Sequence, residues 1–228
     1  DNGITNGTAF TPTTTATYMV TGTDGNGCVT TDDVVVTVDP IPTITGTTDV
    51  CVGSRTTLSG SGVAASTNAW TSSNAGVATV SSSGLVTGVS AGTATITFTN
   101  SGGCQATEVI TVNPTPVISG TSETYVGGTT TLSANVSGGT WTSSEPTVFT
   151  IDGLGAITGV TSGSGYATYA VTATGCYDTA LVTIHALPTI SGTLSVCVGS
   201  TTDLDGTGTA ASSSPWTSSA PSVATVTS

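Results

Sequence analysis

Two short strings each occur three times along this chain, and their spacing limits what it can fold into more than any other feature. Val50-Cys51-Val52-Gly53-Ser54 returns as Thr124-Tyr125-Val126-Gly127-Gly128 and again as Val196-Cys197-Val198-Gly199-Ser200. Trp70-Thr71-Ser72-Ser73 returns as Trp141-Thr142-Ser143-Ser144 and as Trp216-Thr217-Ser218-Ser219; 71 residues separate the first two tryptophans and 75 the second pair. A self-similar period of that length means a row of small like units rather than one large core.

The period sets the expected boundaries. One whole unit spans 42–113 and a second spans 116–186, while 188–228 carries the front half of a third. Residues 1–39 carry only the closing strands of another, because Val36-Thr37-Val38-Asp39-Pro40 matches Ile110-Thr111-Val112-Asn113-Pro114. Within the first whole unit Ala94, Ile96 and Phe98 alternate with Thr95, Thr97 and Thr99, the period of two of a half-buried strand. The counterpart Ala167, Tyr169 and Val171 alternates with Thr168, Ala170 and Thr172. Clusters such as Ser81-Ser82-Ser83-Gly84 and Asn100-Ser101-Gly102-Gly103 punctuate the strands, and no segment has a helical period, so an all-β chain is expected.

Composition narrows the function classes. At 228 residues the chain holds two or three small domains, and 36% hydrophobic content suffices for modest cores. Only 6% of residues are charged, about a quarter of the usual ~25%, so hydroxyls must supply the solubility. Disorder is disfavoured by the recurring Val, Ile and Thr. Thirteen acids stand against one base, Arg55, for a net charge of −12. That balance argues against nucleic acid and against a polybasic membrane contact. No apolar run approaches the ~18–20 residues needed to span a bilayer, so this segment is read as not membrane-spanning. Asp1 opens in strand-like sequence without the basic and apolar regions of a signal peptide. Residue 1 is therefore expected to begin a mature or excised segment of a secreted protein rather than the gene product.

The order Val52 to Leu58 (Val-Gly-x-x-Thr-Thr-Leu here), Trp70 to Ser73, Val77 to Val80 (Val-Ala-Thr-Val), Gly84 to Val89 (Gly-Leu-Val-Thr-Gly-Val) and Ala91 to Ile96 (Ala-Gly-Thr-Ala-Thr-Ile) resembles the group-two bacterial immunoglobulin-like (BIG) domain. The resemblance covers both whole units and the front half of the third. Residues 1–39 resemble it less: Phe10-Thr11-Pro12-Thr13-Thr14-Thr15 and Gly25-Asn26-Gly27-Cys28 are similar to a related sandwich repeat of giant adhesins of gliding bacteria. The resemblance implies tandem immunoglobulin-like β-sandwich domains in an elongated head-to-tail array, displayed extracellularly on a bacterial cell surface or as a secreted fibre. It implies adhesion and no enzymatic activity.

The inventory for catalysis is thin. His185 is the only histidine and takes the strand-end place of Asn113 and Asp39, and nothing resembles a nucleophile elbow. Paired carboxylates would have to come from Glu108, Glu123 and Glu145, which differ in position between units. No catalytic residue and no cofactor are expected. Trp70, Trp141 and Trp216 fall at the third-strand position where immunoglobulin-like sandwiches bury a tryptophan, so they read as core rather than a sugar-stacking strip. Weak calcium candidates are Asp24, Asn26, Asp32 and Asp33, with Asp39, Asp203 and Asp205 further off, though Asp24-Gly25-Asn26-Gly27 is also hairpin-turn sequence. Thr179 lies in Asp178-Thr179-Ala180, which resembles an O-glycosylation acceptor of some secreting bacteria.

Five cysteines suit an oxidising setting, and they fall at two repeat positions. Cys51 and Cys197 precede the first turn of a unit, with Tyr125 between them in the series; Cys28, Cys104 and Cys176 open the last strand. Cys51 could pair with Cys104 inside one unit, although those poles of a sandwich stand ~20 Å apart against the ~7 Å Cα limit of a disulfide. Cys51 could instead meet Cys176 across a junction between units. No lysine is present, so Lys-Asn isopeptide locking is excluded. The two half-units together make about one repeat. Either they complete each other between chains, giving head-to-tail self-association by strand addition, or the segment is a window of a longer stalk. Alternatives of other classes are a carbohydrate- or cell-surface-binding module, favoured by aromatics exposed outside the core positions, of which few are expected, and accessory repeats of a large secreted hydrolase.

Overall fold

The computed structural model describes residues 9–208 and 215–226, so the outer ends of the expected segments 1–39 and 188–228 lie outside the described residues. The chain divides into two compact units, Asp1–Thr115 and Pro116–Ser228. The described residues form strands, turns and bends without a helix.

In the first unit β1 (Ala16–Thr23) and β2 (Val29–Val36) make a two-stranded antiparallel hairpin. A sandwich follows, built from β3 (Ile44–Thr45), β4 (Asp49–Cys51), β5 (Arg55–Thr57), β6 (Ser59–Gly60), β7 (Trp70–Ser72), β8 (Ala78–Val80), β9 (Leu85–Gly88), β10 (Gly92–Thr99) and β11 (Gln105–Asn113). One layer has the order β4-β11-β10-β7, with β4 parallel to β11 and the other pairs antiparallel. The other layer is made of β5-β9-β8 and β3-β6. The segment Arg55 to Gly60 serves both pieces, its first half pairing with β9 and its second with β3. The alternation read from sequence becomes the core: Ala94, Ile96 and Phe98 of β10 and Ile110 and Val112 of β11 are buried. They share that core with Val50, Leu58, Ala78 and Val86. Two layers that close on one apolar face are the simplest way to bury strands of period two.

The first strand must leave one layer for the other between β3 and β4, and Gly46 makes the crossing. Its φ is +136°, and a Cβ there would stand 2.6 Å from the Thr57 carbonyl oxygen. A side chain fits neither that conformation nor that space.

The second unit repeats the plan with β12 (Ile118–Gly120), β13 (Glu123–Tyr125), β14 (Thr129–Ala134), β15 (Gly139–Ser143), β16 (Phe149–Ile151), β17 (Ala156–Gly159), β18 (Gly163–Val171) and β19 (Tyr177–His185). Its layers are β12-β14-β17-β16 and β13-β19-β18-β15, with β13 parallel to β19. Here β14 is continuous and does alone what β5 and β6 share. Gly120, at φ +117°, takes the crossing place of Gly46. Leu132, Phe149, Ile157, Ala167, Val182 and Ile184 form the core. Beyond it, β20 (Ile190–Gly192) and β21 (Leu204–Gly206) form a two-stranded sheet whose register, Ile190 opposite Gly206, copies Ile44 opposite Gly60.

Candidate functional site

The outer face of the layer β13-β19-β18-β15 is the most distinctive surface. Successive residues of a strand point to opposite faces, and on β18 the buried set is Gly165, Ala167, Tyr169 and Val171. Tyr166 therefore points outward. On β19 Val182 and Ile184 are buried, which turns Tyr177 and Leu181 out. Tyr125 of β13 sits beside His185 in register. The exposures of Tyr125, Tyr166 and Tyr177 are 56%, 54% and 61%. Tyr166 stands opposite Leu181, and Tyr177 opposite Ala170, with Thr168 and Thr179 paired between them.

The first sandwich has Cys51, Thr95 and Gln105 at the corresponding places, so the tyrosines distinguish one repeat from the other. The sequence reading expected few aromatics outside the core positions. The structure corrects this for the second unit. The signal was present, since Tyr166 has the opposite parity to Ala167 and Tyr169, and Tyr177 the opposite parity to Val182 and Ile184.

His185 borders this face, with Nε2 3.2 Å from Glu123 Oε2, and both side chains are more than half exposed. An exposed pair of this kind contributes ~0–1 kcal/mol. Thr179 is exposed at the middle of the face, and its N–H donates to Asp178 Oδ1 at 2.8 Å. Asp178 Oδ2 in turn accepts the N–H of Ile118 at 2.8 Å, so this carboxylate ties β12 to its own strand.

The tryptophans pack at the margin of the cores and are half-buried. Trp70 lies against Phe98 at 4.7 Å between ring centroids, and Trp141 against Tyr169 at 4.9 Å. Each ring also covers a turn glycine: a Cβ on Gly84 or Gly155, at φ +81° and +84°, would stand 3.2 Å from Trp70 or Trp141. Trp216 is likewise half-buried, over Gly206.

The acids proposed for calcium do not converge. Asp24 Oδ1 accepts the N–H groups of Asn26 at 2.9 Å and Cys28 at 2.8 Å, closing the hairpin turn between β1 and β2. These bonds, Cys28 first, hold its carboxyl below the ordinary aspartate value. Asp32 and Asp33 are consecutive on β2 and so point to opposite faces. No group of three or more His, Cys, Asp or Glu disposed to hold a metal occurs among the described residues. The hollow beside this turn, about 410 Å³, is lined by Gly22, Thr23, Asp24, Cys28, Val29 and Thr30.

Cys51 and Cys176 are disulfide-bonded, while Cys28, Cys104 and Cys197 are thiols. The alternative that linked Cys51 to Cys104 is thereby overturned, since Cys104 carries a free thiol with Sγ 3.6 Å from the Asp39 carbonyl oxygen. No helix among the described residues is long and apolar enough to cross a membrane.

Residues 36–111 match the family model of the bacterial Ig-like domain (group 2). Among solved structures, the chain is similar to domains 4 and 5 of the S-layer protein SbsC, at 19% identity and TM-score 0.29, over 65% of this chain and 98% of that one. It is also similar to invasin, a bacterial integrin-binding protein, at 18% identity and TM-score 0.45, over 80% of this chain and 47% of that one. A third is the C-terminal 282-residue fragment of intimin in complex with the intimin-binding domain of its translocated receptor, at 16% identity and TM-score 0.35, over 78% and 60%. This chain thus spans less than half the length of the invasin chain. No curated protein matches it.

Proposed function

We propose that this chain, which carries a group-two bacterial Ig-like domain at residues 36–111, is a non-enzymatic structural segment of a bacterial surface fibre or adhesin stalk, displayed outside the cell. The observation that carries the reading is the repetition of one sandwich plan in β3 to β11 and again in β12 to β19. Repetition of a small, separately cored unit supplies length without new chemistry. The outward rows of threonine and serine support a role in water with few charges, and the disulfide-bonded Cys51 and Cys176 suit an oxidising exterior. In its finer form the reading has copies joining head to tail. The test is immunogold electron microscopy of the source bacterium with antibodies against the purified chain. Gold along surface fibres is expected; label confined to the cell interior would overturn the proposal.

A second reading, that the second unit itself binds a glycan, is favoured by the outward Tyr125, Tyr166 and Tyr177. Tyrosine rings offer flat apolar faces to pyranose rings, and the intervening Thr168 and Thr179 hydroxyls can bond sugar hydroxyls. Affinity electrophoresis through neutral polysaccharides should retard the native chain, and Tyr166→Ala with Tyr177→Ala should abolish the retardation. A native chain retarded by none of them would end this reading.

A further inference from the structure

The stretch between the hairpin β1-β2 and the first sandwich is fastened at nearly every residue. On the hairpin side the Val38 N–H donates to Thr15 Oγ1 at 2.9 Å. The next residue is already held by the sandwich: the Cys104 thiol donates to the Asp39 carbonyl oxygen at 3.6 Å, and the Asp39 side chain lies against Gly102. Pro40 follows, its carbonyl oxygen accepting from Asn100 Nδ2 at 3.1 Å. Pro42 is buried, and the Thr43 N–H donates to Ser61 Oγ at 2.8 Å while the Thr43 carbonyl accepts the Ser61 N–H. Between the last anchor on the hairpin and the first on the sandwich no residue is left over.

Asn100 stands at the centre of this fastening. It is the only buried polar residue among those described, at 6% exposure. Both ends of its amide are used: Oδ1 accepts the N–H groups of Gly102 at 3.1 Å and Cys104 at 2.9 Å, closing the turn between β10 and β11, and Nδ2 reaches out to Pro40. A buried amide left without its partner would keep the cost of desolvation and lose the bond that offsets it, so the contact with Pro40 is strongly favoured. The sandwich plan does not require this residue. The second sandwich closes the equivalent turn with Val171, whose N–H donates to the Cys176 carbonyl at 2.9 Å as the Asn100 N–H donates to that of Cys104 at 3.0 Å. A valine side chain packs equally well there and has no group to offer a linker carbonyl.

We infer that Asn100 is a latch that makes residues 39–42 part of the sandwich that follows them, so that the hairpin β1-β2 and the first sandwich move as one body. The inference goes beyond the fibre reading and does not depend on it, since it concerns how motion passes from one folded element to the next. The linker is predisposed to such a role. Pro40 and Pro42 fix their own φ angles, and the residue before each, Asp39 and Ile41, is confined to extended backbone. Few soft torsions remain, and the bonds from Asn100, Cys104 and Ser61 hold them against one surface. Asn100 acts on the hairpin through the linker and is in that sense a positioning residue.

The test is nuclear relaxation of the backbone amides in the 228-residue chain and three variants. In the native chain the amides of Val20 and Thr31 in the hairpin should report the same tumbling time as those of Ile96 and Ile110 in the sandwich. Asn100→Asp keeps an oxygen for the Gly102 and Cys104 N–H groups and loses the donor to Pro40. In it the hairpin's tumbling time should fall below the sandwich's, while the Gly102 and Cys104 amides still exchange slowly. Gly102→Ala reaches the same joint without altering Asn100, because a Cβ there would stand 2.7 Å from Asp39 Cβ and overlap the Asp39 carboxyl group. It should uncouple the hairpin too, and it decides the matter if Asn100→Asp opens the sandwich. Cys104→Ala should leave one shared tumbling time, since a thiol is a weak donor. Separate tumbling times in the native chain, or a hairpin that stays coupled in a folded Asn100→Asp chain, would overturn the inference. Uncoupling by Cys104→Ala as complete as by Asn100→Asp would overturn it as well, by moving the latch to the thiol.

Discussion

Phe149 occupies in the second core the place that Ala78 occupies in the first, and the exchange is absorbed by its neighbours. Ile96 becomes Ala167 and Ala94 becomes Gly165, so a large side chain on one layer faces smaller ones on the other. A Cβ on Gly165 would stand 2.9 Å from Glu145 Cβ and 3.1 Å from Phe149 Cε1. Gly165→Ala should therefore overpack the second unit and cost about 1–3 kcal/mol. The measurement is amide exchange of Val182 and Ile184 in the core, which should accelerate, while Ile110 and Val112 in the first unit hold their rates. Adding Phe149→Ala should relieve part of the loss by coupling, since the two sites touch. At the same scale, Asp24 sets a pH dependence for the hairpin turn. Its folded pKa is lowered, so its contribution is present above the ordinary aspartate value and is lost as pH falls through the folded value. Exchange of the Asn26 and Cys28 amides, corrected for intrinsic rate, should lose protection over that acid range, and Asp24→Ala should remove the transition.

The strand-to-strand crossings are decided by single residues within elements. Gly46 and Gly120, at φ +136° and +117°, each sit where the first strand of the sandwich leaves its layer, and Gly192, at φ +128°, ends β20 at the equivalent place. A Cβ on Gly120 would stand 2.5 Å from the Thr131 carbonyl oxygen. Gly120→Ala should cost about 1–3 kcal/mol of backbone strain, and it should release β12 from β14 before the rest of the unit opens. Hydrogen exchange would show this as selective loss of protection at the amides that join β12 to β14; uniform loss across the unit would contradict it. The same parity that turns Ala167 and Tyr169 inward turns Tyr166 outward. The tyrosine face is thus a property of three neighbouring strands, β13, β19 and β18, rather than of any motif.

At the scale of the whole molecule, one plan is used repeatedly with different chemistry at equivalent points. The position before the first turn holds Cys51, Tyr125 and Cys197, and the start of the closing strand holds Cys28, Cys104 and Cys176. Equivalence in sequence does not make them chemically equal, because only Cys51 and Cys176 are oxidised. A peptide map of the non-reduced protein should find Cys51 and Cys176 in disulfide linkage and Cys28, Cys104 and Cys197 open to alkylation. Recovery of Cys104 in a linked peptide would contradict the structure.

The sequence by itself determined the strands and the layer each side chain enters, because a period of two assigns faces locally and needs no distant partner. Ala94, Ile96 and Phe98 were legible as a buried row from their own spacing, and the all-β class from the absence of any helical period. The match of residues 36–111 to the model of the group-two bacterial Ig-like domain was legible for the same reason, since its motifs are the turns and alternations themselves. The turn that Asp24 closes was legible too, because its partners Asn26 and Cys28 are near neighbours in sequence. Only the tertiary structure decided which cysteines are bonded and that the tryptophans stay half-buried over Gly84 and Gly155. Those outcomes depend on distances between residues far apart in the chain. Such distances follow from where the first strand changes layer and how tightly each turn closes, and neither is expressed in a repeating pattern of apolar residues.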